Sequence, residues 1–209
     1  LFTMCAWGVL TTGCVNEDLE DCYRLTLKVV NAKGEDITTL GNASDASIFV
    51  FDENYNYLST IEMNKQGIIS RKEIILEYPK SSKLYFIAWG NVTDIKSGYI
   101  ITRGPKVEDF QLQLSHQSGL AIDQEQELYY GNKGILTKTG LLTQNEEIVI
   151  APKTACVRMW TEGLSNYYNL LKQEGLRTSD DYFGCEFYLD KTRSLYDYSG
   201  VLQGDSVYY

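Results

Sequence analysis

The chain has 209 residues, of which 44% are hydrophobic and 22% charged, so we expect one or two globular domains rather than disorder. The formal net charge of -9 disfavours binding to nucleic acid, because phosphates repel an acidic surface. The only histidine is His116, which excludes mechanisms that need two imidazoles. Composition therefore favours a binding protein over an enzyme, with no metal site and no cofactor.

The first ten residues, Leu1–Leu10, form an apolar run without a charged side chain. The run is too short to cross a bilayer as a helix, which takes about 20 apolar residues, but it has the size of a signal-peptide core. We therefore expect residues 1–13 to be part of a lipoprotein signal peptide that begins upstream. The alternative is a buried first strand, although the run has few of the β-branched residues that strands favour.

The residues before Cys14, in the segment Leu10–Cys14, resemble the lipobox that the lipoprotein signal peptidase cuts. Leu10 stands four positions before the cysteine rather than the preferred three. Cys14 is therefore predicted to carry the lipid, and stable anchoring takes more than one acyl chain. Residues 14–22 contain an acidic run and are predicted to be a solvated tether. The run also resembles export signals that send lipoproteins to the outer cell surface.

Three cysteines remain once Cys5 is assigned to the signal peptide and Cys14 to the lipid: Cys22, Cys156 and Cys185. An odd number allows at most one disulfide within the chain, and an exported protein can form it. The first candidate pair is Cys156 with Cys185, because both lie on predicted strands in the same half of the chain. The alternative, that all three are small buried hydrophobic residues, has equal support.

The two-residue period of β-strands begins with Leu25, Leu27 and Val29, which alternate with polar residues and predict one buried face. Ser47–Phe51 is continuously apolar and predicts a strand covered on both faces. A turn sequence follows it, and Tyr55–Met63 is predicted to complete a β-hairpin.

Further strands are predicted where apolar residues alternate or cluster between turn residues. These are Ile74–Tyr78, Leu84–Trp89, the alternating Phe110, Leu112 and Leu114, Leu128–Gly131 and Ile148–Ile150. Strands at this spacing without helical crossovers predict an all-β fold, an antiparallel β-sandwich, over residues 23–151. The polar segment 115–126 is predicted to be a loop or a single helical turn.

Pro152 is interpreted as a domain boundary. Beyond it, strands are predicted at Cys156–Trp160 and Cys185–Leu189, and a further strand begins at Val207 after a turn. Between the first two strands, the spacing of apolar side chains predicts one helix that ends at Gly175; its apolar face contains Leu164, Tyr167, Tyr168 and Leu171. These are too few to close a second sandwich. We therefore expect residues 152–209 to be an incomplete C-terminal β-sandwich domain. The alternative is that they extend the first sheet.

The order of these motifs resembles that of the FimB-type fimbrial anchor lipoproteins of type V fimbriae. The resemblance rests on Cys14, the acidic segment Glu17–Cys22, Ile48–Asp52, Tyr85–Asn91, Leu128–Gly131 and the C-terminal tail with Tyr196 and Val207. It implies two tandem transthyretin-like β-sandwiches. It also implies a minor subunit that is held in the outer membrane by its lipid, at the fimbrium base, and that carries the fimbrial shaft subunit. The family's usual Pro-Gly is Pro79-Lys80 in this chain.

The physical mechanism expected for such a protein is β-strand addition, in which a neighbouring subunit's strand pairs with an open sheet edge. An enzyme is the first alternative, but His116 stands in a polar segment without a nucleophile motif. A carbohydrate-binding surface lipoprotein is the second, because 16 tyrosines and three tryptophans could form a platform for sugars. We expect Trp89 and Tyr85 to be buried instead, because they share one face of a very apolar strand.

Overall fold

The computed structural model describes residues 22–78, 83–93, 98–117, 120–121, 126–137, 146–154, 162–176 and 192–207. The predictions for Leu1–Leu10, Cys14, Cys156–Trp160 and Cys185–Leu189 fall outside these residues.

The described residues form thirteen strands and two α-helices. The strands are β1 (Cys22–Val29), β2 (Asp45–Phe51), β3 (Tyr57–Asn64), β4 (Ile74–Glu77), β5 (Lys83–Gly90), β6 (Tyr99–Thr102), β7 (Gln111–Leu114), β8 (His116–Gln117), β9 (Leu120–Ala121), β10 (Tyr129–Thr137), β11 (Glu146–Pro152), β12 (Thr192–Tyr196) and β13 (Leu202–Val207). The helices are α1 (Lys65–Ile69) and α2 (Leu164–Gln173). The strand order is β3-β2-β5-β10-β11-β1-β4 in a seven-stranded sheet and β13-β12-β7-β6 in a four-stranded sheet. The all-β fold class is thereby confirmed.

β2 lies at the centre of the molecule and is buried on both faces, as predicted. Ile48 and Val50 point into one apolar core, and Phe49 and Phe51 point into another. All four side chains are fully buried. β5 alternates in the same way, so β2 and β5 form a central layer with a core on each side.

The first core lies between the two halves of the seven-stranded sheet. Leu25, Leu27 and Val29 of β1 belong to the same buried cluster as Ile48 of β2 and Phe86 of β5. The sheet must therefore bend between β10 and β11, so that β11, β1 and β4 lie across the central layer. The predicted buried face of β1 is confirmed.

One strand pair in this sheet departs from the antiparallel pattern. β1 and β11 are parallel, with Leu27 opposite Ile148, whereas the other described pairs are antiparallel. Parallel neighbours need a long crossover connection, and the chain between β1 and β11 supplies it.

Gly131 stands at the bend, where β10 leaves β11. The two strands pair only through Tyr129 and Tyr130 before they diverge. A Cβ atom on Gly131 would lie 1.9 Å from the carbonyl oxygen of Val149, closer than real Cβ contacts come. The bend therefore requires a residue without a side chain.

The second core lies between the central layer and the four-stranded sheet. β12 pairs with β7, with Tyr196 opposite Leu112, and the Tyr196 ring lies 5.6 Å from the Trp89 ring. The Tyr130 hydroxyl also donates a hydrogen bond of 2.9 Å to the carbonyl oxygen of Tyr198. Residues 192–207 therefore add two strands to the sheet that contains β7 and β6, as the alternative reading of this segment expects. For the other residues beyond 152 the second domain stays a prediction.

Two sequence predictions are wrong in detail. β13 ends at Val207 instead of beginning there, because the turn at Gly200 already returns the chain along β12. In the polar segment 115–126, His116–Gln117 pairs with Leu120–Ala121, so the described part is a small hairpin rather than a loop or a helical turn. The sequence analysis does not predict β6, β12 or α1.

The predicted helix is confirmed as α2. Gly175 follows it with a φ of 68°, the left-handed conformation that commonly ends helices. No side chain of α2 is buried. Among the described residues, no helix is long and apolar enough to cross a membrane.

Three aspartates in turns have pKa values below the ordinary value. For Asp36 the main cause is the hydrogen bond donated by the backbone N–H of Thr38, followed by those from the Thr38 hydroxyl and the Arg71 guanidinium. For Asp52 and Asp197 burial acts to raise the pKa, but hydrogen bonds from neighbouring groups outweigh it. A carboxyl group with a lowered pKa in the folded state stabilises that state above its unfolded pKa. We therefore expect stability to fall as the pH drops below about 4.

The variant Asp36→Asn tests this expectation. Because it removes one of the three groups, the loss of stability between about pH 5 and pH 2 should be shallower than in the wild-type protein. Urea midpoints measured across this range give the comparison, with the exposed Glu53→Gln as the control. If Asp36→Asn loses stability between about pH 5 and pH 2 as steeply as the wild type, Asp36 does not contribute to the pH dependence of stability.

Candidate functional site

The residues that the sequence singled out for chemistry do not come together in the described structure. Cys14, Cys156 and Cys185 fall outside the described residues. The backbone of His116 lies in β8, and the placement of its side chain is not described. Within the described ranges, no group of three His, Cys, Asp or Glu residues could hold a metal ion.

The aromatic side chains mostly build the second core. Trp89 is 3% exposed, and its ring lies 4.5 Å from the Tyr130 ring, so its predicted burial is confirmed. Tyr85 is half-buried, and burial raises the pKa of its hydroxyl. The more exposed Tyr55 meets Tyr85 at an interplanar angle of 75°. Two rings at this angle do not form the flat surface on which a sugar stacks.

The open edges of the two sheets are the remaining places where the fold can bind a partner. Among the described residues, four strands lie at the edges of these two sheets: β3 and β4 in the seven-stranded sheet, and β6 and β13 in the four-stranded sheet. The β12–β13 pairing contains an irregularity, and Gly204 there has a φ of 85°. Bulges of this kind twist an edge and reduce its ability to pair.

β3 and β4 lie on the two sides of one groove because the seven-stranded sheet bends back on itself. The groove has a volume of about 730 Å³, and its lining includes Ile61 and Met63 of β3 and Ile74 of β4. Gly67 of α1 also lines the groove. The volume is within the range of about 300–1,000 Å³ that ligand sites occupy. We call this space the β3–β4 groove.

Within the part of the chain that the structure describes, the backbone edges along the β3–β4 groove are largely unpaired. The start of β3 is covered, because the Tyr57 N–H donates to the carbonyl oxygen of Pro105 at 2.8 Å. From Leu58 to Met63, and along β4, no backbone hydrogen bond reaches beyond β2 and β1 to another described segment. Two rows of amide and carbonyl groups therefore face the groove.

A hydrogen bond crosses the groove at the end opposite α1. The hydroxyls of Ser59 on β3 and Tyr78, just after β4, are 2.5 Å apart. Between this bond and α1 the side chains that face inward are apolar, and they belong to the first core or pack against it: Ile61, Met63, Ile74 and Leu76.

Most charged groups at the rim of the β3–β4 groove already have partners. Glu62 accepts a hydrogen bond from the Ser47 hydroxyl at 2.6 Å and lies 3.7 Å from Arg103, and Glu73 lies 3.5 Å from Arg24. The Asp45 carboxylate accepts hydrogen bonds from the backbone N–H groups of residues 92 and 93. The groove therefore offers backbone edges and an apolar floor, with little unbalanced charge.

The sequence could not have identified the β3–β4 groove. The apolar residues of Tyr55–Met63 and Ile74–Tyr78 predicted two strands, but not that the two strands are the outer edges of one bent sheet. The sequence also contains no motif at either strand. The pairing of β1 with β11 decides the geometry, and these strands are far apart in the chain.

The described residues thus form a β-sandwich whose two large sheets have open edges. The model of the fimbrillin-A associated anchor proteins Mfa1 and Mfa2 matches residues 19–209, and the chain belongs to this family. The resemblance seen in the sequence is thereby confirmed.

The relatives agree with this assignment. The chain is 29% identical to the major fimbrium anchoring subunit FimB of Porphyromonas gingivalis; the match covers 94% of this chain and 64% of FimB. The chain therefore spans less than two thirds of the length of this relative.

Solved structures show the same fold. The fimbrial anchor protein Mfa2 from Porphyromonas gingivalis is similar with a TM-score of 0.60 and 15% identity, over 90% of this chain and 65% of Mfa2. A putative polysaccharide binding protein from Bacteroides thetaiotaomicron is similar with a TM-score of 0.67 and 18% identity, over 89% of this chain and 64% of that protein.

Proposed function

We propose that the chain anchors a fimbrium at the cell surface and binds a fimbrial subunit by β-strand addition. Its membership of the anchor family and its similarity to FimB support the anchoring role. The observation that carries the binding mechanism is the β3–β4 groove, where two strand edges that are largely without partners among the described residues face one apolar floor. In strand addition the backbone hydrogen bonds supply affinity, and alternate side chains supply specificity.

This function needs no catalytic residue. The family consists of anchor proteins, and the described residues that line the groove include no histidine or cysteine. Binding would come from backbone pairing and from buried apolar area, for which about 25 cal/mol per Å² is the usual measure. We therefore propose that the chain is not an enzyme.

The membrane attachment in this proposal is the lipid on Cys14. An anchor must be held in the cell envelope, and acyl chains contribute about 0.8 kcal/mol per buried CH₂ group. The proposed location is therefore the outer membrane, with the sandwich exposed at the fimbrium base.

Metabolic labelling with a tagged fatty acid tests the lipid attachment. We expect the full-length precursor to be labelled in its host and Cys14→Ala to lose the label completely. Cys22→Ala is the matched control, because it removes a thiol eight residues further on and should be labelled normally. Equal labelling of wild type and Cys14→Ala would contradict lipidation at this residue.

The anchoring role itself is tested by the position of the fimbriae. Cells without the protein should release fimbriae into the medium, and the full-length protein should restore them to the cells. Immunoblots of the cell and medium fractions measure the distribution. Fimbriae that stay on cells without the protein would contradict the anchoring role.

A further inference from the structure

β1 follows the segment that contains Cys14, and it is an internal strand of the seven-stranded sheet. β11 lies on one side of it and β4 on the other. β1 is parallel to β11 over residues 25–29 and antiparallel to β4 over residues 22–25. A pull on the N-terminal side of β1 therefore acts on a strand that is bonded to two neighbours.

The end of β1 is fastened on both sides as well. The Val30 N–H donates to the carbonyl oxygen of Ile150 at 3.0 Å, which continues the ladder with β11. On the opposite side, the Val29 N–H donates to the Thr38 hydroxyl at 2.9 Å. The Ile37 N–H donates to the Val29 carbonyl oxygen, also at 2.9 Å. The loop that follows β1 therefore takes over the side that β4 covers near the start of the strand.

The side chains of β1 also hold it on both faces. Those that point inward lie in the first core and are at most 1% exposed: Leu25, Leu27 and Val29. On the outer face, Arg24 lies 3.5 Å from Glu73, next to β4, and Lys28 lies 3.4 Å from Glu147 of β11. Exposed ion pairs contribute little to stability, so the ladders and the core supply most of the resistance to sliding.

The direction of a load decides how these ladders fail. The chain enters β1 at Cys22, whereas β11 ends at Pro152, at the opposite end of the parallel pair. A pull on the N-terminus against the far end of the sandwich therefore runs along the strands. Hydrogen bonds loaded in this way share the force and must break together, whereas bonds loaded across the strands break one after another.

We propose that β1 is a mechanical clamp, which keeps the sandwich folded while a fimbrium pulls against the lipid. The inference rests on the proposed lipid at Cys14, because that attachment makes β1 the strand through which the load enters the fold. The load passes from β1 to β4 and β11 at once, and through β11 and β10 to the central layer. A strand at the edge of the sheet would have one ladder instead of two.

Single-molecule force spectroscopy of the full-length chain tests the clamp. One handle replaces the lipid at the N-terminus, and the other is attached through an azide-bearing residue at position 153 or 146. Position 153 follows the far end of β11 and loads the β1–β11 pair in shear, whereas position 146 lies opposite Leu25 and peels the pair open. We expect the unfolding force to be about twofold higher in shear, because the evenly spaced bonds of a parallel pair share the load. Equal forces in the two geometries would overturn the clamp.

Thr38→Val tests the fastening at the end of β1. It removes the hydroxyl that accepts from Val29, and we expect unfolding under a constant shear load to be about fivefold faster. Peeling begins at the other end of the ladder, so its rate should not change. Ser47→Ala is the matched control, because it removes a buried hydroxyl from β2 and should affect both geometries alike. Equal acceleration of shear and peeling by Thr38→Val would contradict its part in the clamp.

The result for the clamp is separate from the result for the anchoring role. If the two forces are equal but Cys14→Ala loses the fatty-acid label, the clamp is wrong and the lipid attachment stands. If the shear force is higher but Cys14→Ala keeps the label, the load does not enter through β1, and this result also contradicts the clamp.

Discussion

Gly131→Ala should destabilise the protein by about 3 kcal/mol, the upper part of the range for overpacked interiors. The added methyl group would meet the backbone carbonyl of Val149 at 1.9 Å, and a backbone atom cannot rotate away as a side chain can. Either β10 or β11 must shift at the bend, and both strands contribute to the first core. Thermal unfolding should show a midpoint about 6–12 °C lower.

Gly134→Ala is the matched control for this prediction. Gly134 lies on the same strand three residues further on, and a Cβ atom there would have no neighbour within 4 Å. We expect its stability to stay within about 0.5 kcal/mol of the wild type. Equal stability of the two variants would show that β10 and β11 do not cross as closely as described.

Phe49→Ala should have a larger effect, about 3–5 kcal/mol, because it empties the middle of the second core. The Phe49 ring is fully buried, and its centroid lies 5.0 Å from that of the Phe110 ring. The guanidinium carbon of Arg103 lies over the Phe49 ring, 5.2 Å from its centroid. The loss of these contacts should loosen the four-stranded sheet from the central layer. Urea denaturation gives the change in the free energy of unfolding.

The control for Phe49→Ala is Ile100→Ala on the edge strand β6. Ile100 is 55% exposed, so its truncation should change the stability by no more than about 0.5 kcal/mol. A small effect of Phe49→Ala, close to that of Ile100→Ala, would contradict a core on the second face of the central layer.

The sequence predicted the strands because the apolar pattern reports burial locally. The alternation in β1 corresponds to a strand with one covered face. The continuous apolar run of β2 corresponds to a strand covered on both faces. Pairing partners are not local, and so the sequence could not predict the parallel pair β1–β11 or decide between a second domain and an extended first sheet for residues 192–207. Two residues explain the hairpin: Tyr196 packs on Trp89, and Tyr198 accepts a hydrogen bond from Tyr130.

For the candidate site, the sequence predicted the binding mechanism but not the residues or the sheet edge involved. Any sheet with open edges can in principle accept a strand, but the proposed choice among the four edges depends on the bend at Gly131. That bend places β3 and β4 beside one groove, while Gly204 distorts the pairing next to the edge of β13. No residue of the β3–β4 groove has an unusual chemistry that sequence analysis could detect.

Hydrogen exchange of the full-length protein, with and without the purified fimbrial shaft subunit, tests the central claim most directly. If a subunit strand inserts into the β3–β4 groove, the backbone amides of both Leu58–Met63 and β4 should exchange more slowly in the complex. The amides of β6 and β13 should exchange at their original rates. Slower exchange confined to β6 or β13, or no change at β3 and β4 in a complex that has formed, would contradict insertion at this groove.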